Sequence, residues 1–131
     1  MSSMHRTIEG DVLVNHLTRD DWMIDKDLLA KHGRTARTLV KDGPLRLTLM
    51  AIGSGGTLPT HSTTGPVTIH VLEGELLFKA VDREYPLKTG DVLVFAAGVE
   101  HSATSVSGGS FLLTVFHAPS AGSRMPFDEK K

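Results

Sequence analysis

Histidines supply most of the chemistry that this sequence could perform. The chain of 131 residues contains seven histidines and no cysteine. Without cysteine there is no disulfide, no thiolate metal ligand and no cysteine nucleophile, and the redox compartment is left undetermined. Metal binding or acid–base chemistry would therefore depend on imidazole and carboxylate side chains.

Two of these histidines, His61 and His101, each follow a turn in the stretch with the densest turn and strand signals, residues 55–105. The hydroxyl groups of residues 62–64, directly after His61, could hydrogen-bond a substrate. The Gly65-Pro66 step that follows favours turn chemistry for them instead. His70, His117 and Glu100 are weaker candidates, because strand alternation turns His70 and Glu100 away from the face of interest and His117 ends a strand.

Other catalytic motifs are absent from the sequence. Residues 53–56 are rich in glycine but lack the lysine and the helix of a phosphate-binding loop. No nucleophile elbow occurs. Glu73 and Glu75 flank Gly74 and are interpreted as turn carboxylates rather than as a glycosidase pair.

Composition and charge exclude several classes of partner. The formal net charge is −1 and only seven residues are aromatic, so neither a basic footprint nor a stacking platform for nucleic acid is expected. No apolar run approaches a membrane span of about 20 residues, and no secretory signal is visible, so we expect no membrane partner and a cytoplasmic location. The length is that of one ordinary domain.

The hydrophobic pattern predicts about nine short strands with turns between them, and at most one or two short helices. Leu45, Leu47 and Leu49 share one face of the clearest strand, and the opposite face is only half polar. Asp25 could cap a helix over 26–31 that Gly33 ends, with an irregular loop as the alternative. The predicted strands are 10–15, 34–41, 45–52, 67–72, 76–81, 84–87, 92–95, 101–106 and 110–116. This pattern predicts an all-β antiparallel sandwich or barrel.

The central stretch resembles the cupin family of small jelly-roll barrels. Their first motif, G-x(5)-H-x-H-x(3,4)-E-x(6)-G, is matched by Gly55, His61, Thr63 in place of the second His, Val67 in place of the Glu, and Gly74. Their second motif, G-x(5)-P-x-G-x(2)-H-x(3)-N, is matched by Gly90, Ala96 in place of Pro, Gly98, His101, and Ser105 in place of Asn. The resemblance implies an antiparallel jelly-roll β-barrel.

The resemblance also implies a site, in which metal-binding cupins use three His and one Glu. It assigns His61 and His101 as metal ligands and places Thr63 and Val67 beside them as ligand-binding residues facing one cavity. A divalent ion (Ni, Zn, Mn or Fe) would then be held weakly, because threonine is a poor ligand and valine is none.

Three functions follow from this resemblance. The first is a cupin that binds a small molecule and a weakly held divalent metal, with a dioxygenase-like activity by analogy with the quercetin-dioxygenase-like group. The second is a metal-free cupin that acts as a small-molecule binding or sensing module, which the residues at 63 and 67 favour. The third is an epimerase or isomerase with a histidine base, which needs an orienting carboxylate that the pattern does not place inward.

The domain organisation expected is a single cupin domain over residues 1–131. Its core barrel covers about 34–118, residues 1–33 supply an N-terminal strand and short helix, and 119–131 form a tail. Apolar strands richer than one barrel face requires, together with the habit of the family, predict a symmetric homodimer.

Overall fold

Eight antiparallel strands form one strongly curled sheet in the computed structural model, which describes residues 7–8, 10–18 and 33–117. The strands are β1 (Arg34–Asp42), β2 (Leu45–Ile52), β3 (Thr57–His61), β4 (Val67–Ala80), β5 (Arg83–Lys88), β6 (Val92–Phe95), β7 (His101–Thr104) and β8 (Gly109–Phe116). Their order is β1-β2-β8-β4-β7-β3, and β5 and β6 both pair with β4. The predicted all-β jelly-roll architecture is confirmed. The helix predicted over 26–31 lies outside the described residues.

The long strand β4 joins the two halves of the barrel. Its first half pairs with β6 and β8, and its second half pairs with β5 and β7. The register shifts between Val71 and Glu73 where β4 runs beside β8. The sequence predicts either a tight turn or a bulge at Glu73-Gly74-Glu75, between strands over 67–72 and 76–81. The structure has the bulge, which bends one continuous strand without breaking its pairing.

The bulge depends on a pair of glycines. Gly74 has φ +90°, and a Cβ built on it would collide with the carbonyl oxygen of Gly108. Its Cα partner across the sheet is Gly109. Two facing glycines therefore let the backbones of β4 and β8 approach closely where the barrel bends.

Two apolar clusters lie on opposite sides of the sheet. The inner cluster fills the barrel with residues from both halves, namely Met50, Ile52, Val67, Ile69, Val71, Leu76, Phe78, Ala80, Phe95, Ala103, Phe111 and Val115. The outer cluster contains buried Leu39, Val40 and Leu49 with Leu13, Leu17, Leu45, Leu47, Leu72 and Leu112 around them. Strand β2 contributes to both clusters, which explains why its second face is only half polar.

The strand predicted over residues 10–15 is wrong, since these residues carry no strand assignment. Leu13 and Leu17 instead pack on the outer cluster, while Val12 and Val14 are exposed. The alternation that resembles a strand in the sequence here reflects partial burial of Leu13 between two exposed valines. Strand β3 was not predicted, and it contains Pro59, a residue that strands disfavour.

Candidate functional site

His61 and His101 lie together at one end of the barrel. Strand β3 ends at His61, strand β7 begins at His101, and the two Cα atoms are paired across the strands. On its other side His101 is paired with Ala80, the last residue of β4. The alternating burial of β7, in which His101 and Ala103 are buried, turns the His101 side chain inward, and His101 is only 2% exposed.

Three rings are in contact at this end. The ring centroids of His61 and His101 are 4.3 Å apart, with an interplanar angle of 62°. Phe95 stacks on His101 with centroids 4.5 Å apart and an angle of 11°. Phe95 connects this stack to the inner cluster, because its ring centroid also lies 6.3 Å from that of Phe78. Phe95 therefore covers one face of His101 and fixes the plane of its ring.

Both imidazoles are anchored in the same way. Nδ1 of His61 lies 2.9 Å from the carbonyl oxygen of Pro59, and Nδ1 of His101 lies 3.0 Å from that of Val99. A carbonyl oxygen can only accept, so each Nδ1 must carry the hydrogen and donate it. In the neutral rings the proton is then absent from Nε2, and each Nε2 presents a lone pair.

The environment of His101 favours its neutral form. Burial lowers the pKa of His101 below its ordinary value of 6.5, since the charged ring would lose its hydration. The bond to Val99 acts in the opposite direction, and the nearby His61 adds a smaller lowering effect. His101 is therefore a neutral acceptor at neutral pH.

Thr63 lies in a loop rather than on a strand, whereas Val67 belongs to the inner cluster. Strand β3 ends before Thr63, which lies in the loop to β4 and donates its hydroxyl to the carbonyl oxygen of Gly65 at 2.7 Å. This is the turn chemistry expected before Gly65-Pro66. Val67 is 1% exposed, and its Cα is paired with that of Phe95. Ligand contact by Thr63 and Val67 stays a prediction.

A cavity of about 670 Å³ opens beside His101. Its walls come from the β4–β5 turn and from the segment that leads into β7, and its lining is Thr60, Lys79, Ala80, Val81, Asp82, Arg83, Glu84, Val99, Glu100, His101 and Ser102. His61, Thr63, Val67 and Phe95 are not among these residues, and His61 and Phe95 are connected to the cavity through their ring contacts with His101. Local sequence patterns do not associate Phe95 or the β4–β5 turn with His101, because cross-strand register brings them together.

The turn at the cavity wall is strained. Val81 and Asp82 have φ values of 52° and 61°, which is the left-handed region. Asp tolerates this region, whereas a β-branched residue there is an outlier. Val81 is also 72% exposed, so burial of its side chain does not offset the strain within the described structure.

The remaining sequence candidates lie elsewhere. His70 is exposed and, as predicted, lies on the outer side of β4, since it alternates with buried Ile69 and Val71. His117 lies with Nδ1 3.4 Å from the hydroxyl of Thr64, at the end of β8. Glu100 is exposed and lines the cavity.

The donor set at the two histidines does not fit a tightly held metal. Within residues 7–8, 10–18 and 33–117, no group of three or more His, Cys, Asp or Glu side chains could hold an ion. Zinc sites use three or four protein ligands, and other first-row ions likewise need several. Two imidazoles alone leave most of a coordination shell to water or to a ligand.

Comparison with known proteins identifies the family. The cupin domain model matches residues 48–116, more than half of the chain. The chain belongs to the cupin family. No curated protein matches it.

Solved structures support the fold. A conserved protein of unknown function from Streptococcus pyogenes is 21% identical with a TM-score of 0.66, over 86% of this chain and 100% of its own. An RmlC-like cupin from Shewanella frigidimarina is also 21% identical, with a TM-score of 0.62 over 68% of this chain and 80% of its own. A cupin superfamily protein from Desulfitobacterium hafniense is 18% identical, with a TM-score of 0.63 over 64% and 77% of the two chains. At these identities the likeness shows the fold alone. Across the part of the chain that the structure describes, no helix has the length and hydropathy to cross a membrane.

Proposed function

We propose that this cupin is a metal-free module that binds a small molecule at the mouth of its barrel. The observation that carries the proposal is the pair of contacting imidazoles, each anchored through Nδ1 to a backbone carbonyl, together with the cavity that His101 lines. Pre-set acceptors at the edge of an apolar core are typical of small-molecule sites, in which a few polar groups orient the ligand.

The residues at this end have distinct roles in the proposal. The Nε2 atoms of His61 and His101 accept hydrogen bonds from the ligand. Phe95 holds His101 in place by stacking. Ala80, Val81 and Val99 supply apolar contacts from the cavity wall.

A second candidate is a weak divalent metal site, in which Ni²⁺, Zn²⁺, Mn²⁺ or Fe²⁺ is bound by the two Nε2 atoms and completed by waters or ligand atoms. One observation favours it. Metal-binding histidines almost always donate their other ring nitrogen to a carbonyl or carboxylate, as both histidines do here. A dioxygenase-like activity depends on this candidate and stays a prediction.

A thermal-shift screen of a diverse small-molecule library tests the first proposal. The proteins are the wild type, a His61→Phe/His101→Phe double variant that keeps both rings but removes their nitrogens, and a His70→Phe control on the outer face. We expect compounds that stabilise the wild type and the control but not the double variant, by about 2.7 kcal/mol at a hundredfold excess over Kd. A library without any compound that depends on the two histidines would overturn the proposal.

Calorimetric titration of the four metal ions into the same three proteins separates the candidates. Heats that vanish in the double variant alone would support the weak metal site. Indistinguishable heats in all three proteins would eliminate it.

A further inference from the structure

The hydrogen-bonding atoms of His61 and His101 limit the chemical class of ligand that the pair can bind. Both Nδ1 hydrogens are already donated, to Pro59 and to Val99. Each neutral ring is therefore left with one hydrogen-bond acceptor, Nε2. The two ring centroids are 4.3 Å apart, and the ring planes are inclined at 62°. A group that brings its own hydrogens satisfies both lone pairs, whereas a carboxylate brings only acceptors.

The lining of the cavity beside His101 has a small net negative charge. The charged residues of its lining are the carboxylates of Asp82, Glu84 and Glu100 and the cations of Lys79 and Arg83, a formal charge of −1. Nζ of Lys79 is paired with Oε2 of Glu84 at 3.6 Å. Arg83 is the remaining cation of the lining, so an anionic ligand would meet two acceptors and a lining that is slightly negative overall, and its lost hydration would be poorly compensated.

Stacking on His101 is also restricted. Phe95 lies parallel to one face of that ring, and His61 packs against the ring at a steep angle. Since His101 is almost fully buried, a ligand reaches it through its nitrogen edge more readily than through a ring face. Hydrogen bonding to Nε2 is then the dominant means of recognition.

We infer that the His61–His101 pair selects small molecules whose leading group presents hydrogen-bond donors, such as amidines, amides, amines or hydroxyls, over carboxylates and phosphates. This inference rests on the proposed function, because it assumes that the pair contacts the ligand. It adds the class of head group that the ligand carries.

Three probes of nearly equal shape test the inference. Benzamidinium, benzamide and benzoate share a phenyl ring and a planar head group, which is a cationic donor, a neutral donor or an anionic acceptor. Binding is followed by the side-chain ¹⁵N signals of the histidines at pH 8.0, well above the ordinary imidazole pKa of about 6.5. We expect the Nε2 signals of His61 and His101 to move with both donor probes. Each donor probe should bind at least about tenfold more tightly than benzoate, which is about 1.4 kcal/mol.

Matched variants show whether the two nitrogens are responsible. His61→Phe and His101→Phe should each weaken benzamidinium binding about tenfold or more, and His70→Phe should leave it unchanged. If the His101 variant does not fold, the half-buried His61 still carries the test. Unchanged affinity in the His61 variant would mean that the probe binds the acidic rim, which overturns the inference.

The remaining outcomes are also decisive. If benzamidinium binds and benzamide does not, the site selects its ligand by charge rather than by hydrogen-bond donors, and the inference is overturned. Tighter binding of benzoate at the histidine signals, or no response to any probe, would overturn it as well. These results would not reject the proposed function if the library screen still gave ligands whose binding depends on His61 and His101. Only a screen without such ligands would reject the proposed function.

Discussion

His61 and His101 meet ring to ring at 4.3 Å, and each ring donates its Nδ1 hydrogen to the carbonyl oxygen of the residue two positions earlier. The end of strand β3 and the segment that leads into β7 therefore anchor their histidines by the same contact. Because the anchors fix which nitrogen carries the hydrogen, they also fix what the pair can offer to a ligand.

The stability of the fold should depend on the titration of His101. Burial lowers its folded pKa below 6.5, so the unfolded chain takes up the proton first as the pH falls. The contribution is fully present above about pH 6.5 and is lost as the pH falls towards and through the folded pKa. Urea unfolding between pH 8 and pH 5 should show this decline in the wild type and in His70→Phe. An equal decline in His101→Phe would contradict the assignment.

Val81→Asn should stabilise the protein. Valine at φ 52° is strained, and asparagine tolerates the left-handed region, so we expect a gain of about 1 kcal/mol in the free energy of unfolding. The control is Val106→Asn, at a valine that is 84% exposed and has no positive φ. Denaturant unfolding measures both changes. A gain of the same size at Val106 would show that removal of an exposed valine, rather than relief of strain, is responsible.

Gly74→Ala and Gly90→Ala separate two kinds of glycine requirement. Both residues have φ near +90°, but a Cβ at Gly74 collides with the backbone of Gly108, whereas a Cβ at Gly90 meets nothing within 4 Å. We expect a loss of about 1–2 kcal/mol at Gly90 and of more than about 4 kcal/mol at Gly74. Thermal unfolding of the two variants measures the difference. Equal losses would mean that the facing glycines of β4 and β8 are not tightly packed.

The symmetric homodimer that the sequence predicts remains a proposal. Light scattering at micromolar concentration should give twice the mass of the chain, because a stable interface buries at least about 1,200 Å² in total. A monomer mass at that concentration would contradict the prediction.

Local patterns predicted the regular strands well. The bounds of β2 and β6 agree with the alternating and continuous apolar runs over 45–52 and 92–95. Local patterns were ambiguous where two different structures produce the same pattern. The apolar alternation of residues 12–14 reflects packing of Leu13 on the outer cluster, and the signal at Glu73-Gly74-Glu75, which fits either a turn or a bulge, marks a bulge.

The sequence predicted only part of the candidate site. Motif spacing pointed to His61 and His101, and the structure brings these two residues into contact. Their binding of a metal or a ligand stays a prediction. The stacking of Phe95, the carbonyl anchors and the strained turn at Val81 depend on how β3, β4, β6 and β7 align, and this long-range register leaves no local mark on the sequence.

The tautomeric state of His61 and His101 decides most directly whether the pair presents two acceptors to a ligand. Long-range ¹H–¹⁵N correlation spectra of the ¹⁵N-labelled protein at pH 8.0 assign the ring hydrogen of each histidine. The carbonyl anchors predict the Nδ1–H tautomer for both His61 and His101, with no hydrogen on Nε2 of either ring. A hydrogen on Nε2 of either ring would contradict this prediction, because that ring would then present a donor to the ligand instead of an acceptor.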